Sequence, residues 1–136
     1  MFVKSPIAER VIGCAIDVHR ALGPGLLESA YQACLSYAMH DAGLSIESQV
    51  AIPITYRGRE LDCGDRIDFV INRELVIEVK SAAQTLPVHK AQLLTYLKLT
   101  GLPQGLLLNF CVPTLKDGIT SVILTKDSSF TRGVKP

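Results

Sequence analysis

The stretch DRIDFVINRELVIEVK, Asp65 to Lys80, constrains the fold more than any other part of the chain. Large apolar residues recur at alternate positions on both sides of a polar break at Asn72 to Glu74, the pattern of two strands joined by a turn. Ile67, Phe69 and Ile71 are expected on one face of the first strand and Arg66, Asp68 and Val70 on the other. In the second strand Leu75, Ile77 and Val79 face away from Val76, Glu78 and Lys80. Each strand thus has an apolar face and a face that carries charge. A two-residue loop at Asn72-Arg73 would set Asp68 against Ile77 and cross the two faces, which burial forbids. A three-residue loop sets Phe69 against Ile77 and Asp68 against Glu78. The carboxylates are then cross-strand neighbours, with Cβ atoms roughly 5 Å apart, and this like-charge pair destabilises the sheet unless a cation lies between them.

Two readings follow. Lys80 lies two residues from Glu78 on the same face, so the charges can form a solvated strand face with a salt bridge. Alternatively, the acids are hard oxygen ligands for a magnesium or manganese ion with an ammonium group beside them. The second reading needs further polar groups at the same place, and two helices supply candidates.

From Ser5 the positions Ile7, Val11, Cys14/Ala15, Val18 and Leu22 step at helical spacing, with Ser5-Pro6 as cap and first turn, until the GPG of residues 23–25 ends the helix. A second helix runs from there to a stop at Gly43. Its apolar stripe is Tyr31, Leu35 and Ala38/Met39, and three residues before Tyr31 comes Glu28, on the core-facing side near the helix N-terminus. The region from Ile46 to Lys80 reads as three strands in meander order, with hairpin turns at RGRE and NRE. LPVHKAQLLTYLKLTG is a helix entered after Pro87 and ended by Gly101, on which Gln92, Tyr96 and Leu99 share a face. QGLLLNF is a short buried strand and ITSVILTK a last one. The order implies an α/β (α+β) sandwich, a mixed β-sheet flanked by helices. Residues 1–124 are expected to form a single domain and 125–136 a polar tail.

Composition narrows the class. The 136 residues, 48% of them hydrophobic, suffice for one ordinary core. The longest apolar runs are far too short to cross a bilayer, and the first residues lack the features of a secretory signal, so a cytoplasmic protein with no membrane contact is expected. Cys14, Cys34, Cys63 and Cys111 are scattered, with no metal-ligand spacing, and are expected to be small buried apolar residues. His89 is expected at a surface or cap position, and no histidine is assigned as a ligand. The net charge is +1, and no basic run marks an electrostatic footprint, so any nucleic-acid surface must be assembled by folding, by dimerisation or by a metal ion.

The segments GPGLLESAY, DRIDFVI, LVIEVKS and AQLLTYLKLTG, in that order, resemble the small bacterial GxxExxY family, whose name describes Gly25, Glu28 and Tyr31 here. That family is placed in the PD-(D/E)XK nuclease-like superfamily. The resemblance implies a restriction-endonuclease-like core and metal-assisted hydrolysis of phosphodiester bonds. It implies Asp68, Glu78 and the helix-borne Glu28 as metal ligands, and Lys80 as the lysine that orients or deprotonates the attacking water. Gln92 and Tyr96 resemble a Gln-x-x-x-Tyr helix motif that fixes substrate or lysine. Arg66, on the site face opposite Lys80, would contact phosphate or neutralise the acids. Ile67 stands where the superfamily name has proline. The implied cofactor is Mg²⁺, with Mn²⁺ able to substitute, and the implied partner is a nucleic acid, DNA in the first instance, gripped with the help of a second copy or a partner protein. The competing reading is a catalytically silent nucleic-acid-binding or regulatory module on the same fold.

Overall fold

The computed structural model describes residues 5–62 and 64–125. Cys63 and the tail beyond residue 125 lie outside the described residues. Helices α1 (Pro6–Leu22), α2 (Glu28–Asp41) and α3 (Pro87–Thr100) surround a five-stranded sheet. The sheet strands are β1 (Ile46–Ala51), β4 (Arg66–Ile71), β5 (Leu75–Lys80), β6 (Gln104–Asn109) and β7 (Ile119–Ile123), in that spatial order. A separate two-stranded ribbon, β2 (Ile54–Tyr56) and β3 (Arg59–Leu61), is inserted between β1 and β4. Only the β5–β6 pair is parallel among these, and its crossover runs through α3.

The expected caps form. The Ser5 hydroxyl accepts a hydrogen bond from the Ala8 amide at 3.2 Å, and α3 stops at Gly101, whose φ of 76° is left-handed. His89 reaches back to accept from the Leu86 amide at 3.1 Å, a cap role. The three-strand meander is corrected by the structure. Pro53 has no N–H to give a ladder, so the run from Ile46 breaks there, and the RGRE turn closes the ribbon rather than joining two strands of the main sheet. The described cysteines also depart from expectation: Cys34 is exposed, while Cys14 and Cys111 are only half-buried. Cys34 sits on the outer side of α2, where the helix faces solvent and not the sheet.

Both faces of the sheet are covered. On one, α1 and α2 pack Val11, Ala15, Tyr31, Leu35 and Met39 against Phe69, Ile71, Ile77 and Phe110. On the other, α3 packs Leu93, Tyr96 and Leu97 against Val70, Val76 and Leu107. Burying each of these aliphatic side chains contributes about 1.5–3 kcal/mol. Leu99, expected to share the face of Gln92 and Tyr96, is instead 41% exposed. The register of β4 with β5 is the expected one, with Phe69 opposite Ile77 and Ile71 opposite Leu75. Because α3 covers the second face, however, β4 and β5 are not half-solvated strands. Glu78 is only 5% exposed, which overturns the reading of a solvated charged face.

Candidate active site

The β4–β5 ladder changes character past Phe69 and Ile77. The Asp68 amide donates to Glu78 Oε2 at 2.9 Å, and the Val79 amide donates to Asp68 Oδ2 at 2.8 Å. Each carboxylate thus takes an amide of the opposite strand, so side chains stand where backbone carbonyls would otherwise accept. The like-charged neighbours expected from spacing are therefore interlocked, each through one of its two carboxylate oxygens.

The neighbouring strand contributes to this opening. β1 pairs with β4 from Ile46–Ile71 to Ser48–Phe69, skips Gln49 and Asp68, and resumes at Val50–Ile67. Gln49 has φ 51°, a left-handed backbone in the middle of a strand. Its amide group interacts with the Asp68 carboxylate and also donates to Gln32 Oε1 at 3.4 Å. The alternation of β4 changes at the same place. Ile67, expected beside Phe69 and Ile71, packs with Val70 and Val76 on the α3 side.

Glu28 is the first residue of α2, and its Oε2 accepts from the Ser81 amide at 3.4 Å. The Ser81 hydroxyl donates to the Leu26 carbonyl at 2.6 Å, tying the residue after Lys80 to the loop before α2. That loop is fixed from below by Tyr31. This tyrosine is fully buried, its ring stacks on Phe110 at 4.4 Å, and its hydroxyl donates to Gly23 O and accepts from the Leu26 amide. Gly25, with φ 105°, makes the bend that a side chain would resist. Gly25 thus makes the bend and Tyr31 the anchor of the loop that leads into Glu28.

Electrostatics ties the group together. Burial, followed by the charge of Asp68, pushes the Glu78 carboxyl up to about 8, against relief from the Asp68 amide and Lys80. Burial also raises Asp68, opposed by the Val79 amide and Lys80 and reinforced by Glu28. Tyr96 is driven up to about 12, first by burial and then by Glu78, Asp65 and Asp68, so its phenol stays protonated and can donate. Lys80 is half-buried at the end of β5. Among the described residues it makes no ion pair.

Asp68, Glu78, Glu28, Lys80 and Tyr96 therefore share one electrostatic neighbourhood. Gln92 is half-buried one turn before Tyr96 on α3. Arg66 is placed differently from expectation: its guanidinium makes a bidentate ion pair with Asp62, at 3.1 and 3.3 Å. It is absent from the charges that act on Asp68 and Glu78. The reason is local, since the turn before β4 brings Asp62 within reach, four residues away.

Three residues that spacing did not single out complete the surroundings. Gln49 and Ser81 are described above. Asn109, 1% exposed at the end of β6, accepts from the Ala82 and Cys111 amides and donates to the Ala82 carbonyl, fixing the loop after Lys80. A polar residue closing the apolar run GLLLN was the available signal for Asn109. Nothing in the sequence marked the backbone of Gln49.

A family model for the PD-(D/E)XK nuclease superfamily matches residues 5–122. The chain belongs to the PD-(D/E)XK nuclease superfamily. No curated protein and no solved structure matches it. In a PD-(D/E)XK protein the α+β architecture of three helices on a mixed five-stranded sheet is the restriction-endonuclease-like fold. The superfamily generally uses divalent metals. No three of the described His, Cys, Asp and Glu side chains stand close enough to enclose a cation by themselves. The donor set is nevertheless that of a hard cation. Two interlocked carboxylates, in a site where burial opposes their charge, are oxygen donors of the kind that a hard divalent cation takes. No helix among the described residues is long and apolar enough to cross a membrane.

Proposed function

We propose that the protein is a Mg²⁺-dependent nuclease that hydrolyses phosphodiester bonds of DNA at the Asp68–Glu78 cluster, with Mn²⁺ able to replace Mg²⁺. The observation that carries this reading is the interlocked pair itself. A chain of this superfamily keeps a nearly inaccessible carboxylate, Glu78, at a position where burial and Asp68 both oppose its charge. A buried acid in that state fits a group whose charge is needed when a cation is present. The order of Gly25, Glu28 and Tyr31, and the roles their geometry gives them, support placement in the GxxExxY family.

Asp68 and Glu78 would hold the ion, with Glu28 completing its surroundings from α2. When bound, a divalent ion supplies Lewis acidity to the phosphate. The remaining work belongs to the chain. Lys80, lacking an ion-pair partner among the described residues, has its ammonium available to orient the attacking water and to stabilise charge on the phosphate oxygens. Water adds to phosphorus, one P–O ester bond breaks, and the leaving oxygen takes up a proton. Tyr96 donates to the substrate or to a carboxylate oxygen, and Gln92 presents an amide from the same helix. Gln49 holds Asp68 in its rotamer. A second copy or a partner protein would extend the small surface available to a duplex.

The test is a cleavage panel of single- and double-stranded DNA and RNA with Mg²⁺, Mn²⁺ or EDTA, using wild type, Asp68→Asn and Lys80→Ala. Metal-dependent cleavage lost in both variants supports the reading. Metal binding without cleavage of any member would favour the silent binding module instead.

A further inference from the structure

The β2–β3 ribbon has no part in the cluster above, yet the topology places it beside that cluster. β1 and β5 finish, and β4 begins, at the end of the sheet that holds Asp68 and Lys80. The ribbon is inserted between Ala51 and Arg66, so it leaves and rejoins the sheet at that end. Its base is fixed: the Ile52 amide donates to the Asp65 carbonyl at 3.4 Å, and Ile52 and Ile54 pack in the cluster that contains Tyr96.

The tip is built unlike the base. Tyr56 and Arg59 are direct cross-strand partners, so their side chains lie on one face of the ribbon. Tyr56 is 60% exposed, and the Arg57 guanidinium lies over its ring, 5.3 Å from the centroid. Arg57 and Gly58 have φ 51° and 77°. Two positive φ angles make a type I′ turn, whose first central position favours Asn, Asp or Gly. The chain holds an arginine there against its backbone preference. Neither Arg57 nor Arg59 is ion-paired among the described residues. In a chain of net charge +1 with an acidic site, the ribbon tip thus offers two guanidinium groups without an ion pair among the described residues, set around an exposed aromatic ring.

We infer that the β2–β3 ribbon grips an unpaired strand of nucleic acid beside the reacting phosphate, with Arg57 and Arg59 on phosphates and Tyr56 stacked on a base. This rests on the nuclease reading for the site it serves. Stacking requires an exposed base face, which a single strand or a frayed end presents and an intact duplex does not.

The test uses the full chain and a fluorescent single-stranded oligonucleotide in EDTA, with affinity measured across a salt series. Arg57→Asn combined with Arg59→Gln is expected to weaken binding at least tenfold. It should also lower the slope of log K against log salt by about 1.4, at about 0.7 per phosphate contact on a single strand. Because Asn suits the turn, the melting temperature should hold or rise. Tyr56→Ala should weaken binding about tenfold with the salt slope unchanged, and Tyr56→Phe should restore it. Unchanged affinity and slope in the arginine double variant would overturn the inference, as would equal loss of duplex and single-strand binding on Tyr56→Ala. If wild type cleaves and the ribbon variants cleave with unchanged KM, the ribbon assignment fails and the nuclease reading stands. If wild type binds through the ribbon but never cleaves, the ribbon's grip stands and the nuclease reading fails.

Discussion

The two ends of the β4–β5 hairpin are made from the same strands and obey different rules. At the turn end, the Glu74 amide donates to the Ile71 carbonyl at 3.0 Å, and apolar pairs such as Phe69–Ile77 and Ile71–Leu75 face each other in regular register. At the other end the Asp68 and Glu78 carboxylates take the amides of the opposite strand, and the adjoining β1 turns left-handed at Gln49. One end gains stability from burial. The other keeps two acids where burial opposes their charge, a cost that is understandable if the charge serves a ligand.

This contrast can be broken at either end. The largest effect is expected at the open end: Asp68→Asn should reduce metal-dependent cleavage by about a thousandfold or more, several kcal/mol of transition-state stabilisation, while unfolding free energy changes by less than about 1 kcal/mol. Single-turnover rates and urea melts on one preparation check both halves. At the closed end the balance reverses. Ile77→Ala, in a fully buried position, should cost about 2–5 kcal/mol of stability, lowering the melting temperature by roughly 10 °C or more, with metal affinity retained in the folded fraction.

Glu78 gives a test with a definite sign in pH. Burial and the neighbouring Asp68 push its carboxyl in the folded protein up to about 8, from an ordinary glutamate value of 4.5. Between those values the folded state holds a proton that the unfolded chain has released, so metal-free stability should fall as pH rises through that window and level off above about 8. Glu78→Gln should abolish most of this slope and, at pH 8 in EDTA, be more stable than wild type by a few kcal/mol while inactive. Thermal melts from pH 5 to 9 decide it, and a wild-type slope equal to that of the variant would contradict the burial account. The smallest effect belongs to the turn. Asn72 and Arg73 have φ 51° and 55°, and Arg73→Gly, which suits a left-handed position, should stabilise by about 0.5 kcal/mol without touching the site.

The same contrast explains what could be read in advance. Alternation from Phe69 to Ile77 fixed the hairpin register, and helical spacing found the stripe of Tyr31, Leu35 and Met39, because in both cases burial follows a regular period. Asp68, Glu78 and Lys80 were visible as charges that the pattern did not require. The rest depended on irregular backbone or on tertiary cover. Ile67 changes sides across from Gln49, where the β1–β4 pairing lapses and Gln49 takes a left-handed φ with no sequence signature. The depth of Glu78 follows from α3 lying over a face that looked solvated, and Arg66 is drawn to Asp62 by a turn whose path spacing does not specify. The ribbon was legible at its RGRE turn, yet its departure from the main sheet hinged on Pro53 alone.

The most direct measurement is calorimetric titration of Mn²⁺ into wild type, Asp68→Asn and the turn-end variant Ile77→Val. A metal site at the open end predicts saturable binding in wild type and in Ile77→Val, weakened at least tenfold in Asp68→Asn. No binding at millimolar Mn²⁺, or equal binding in all three proteins, would contradict it.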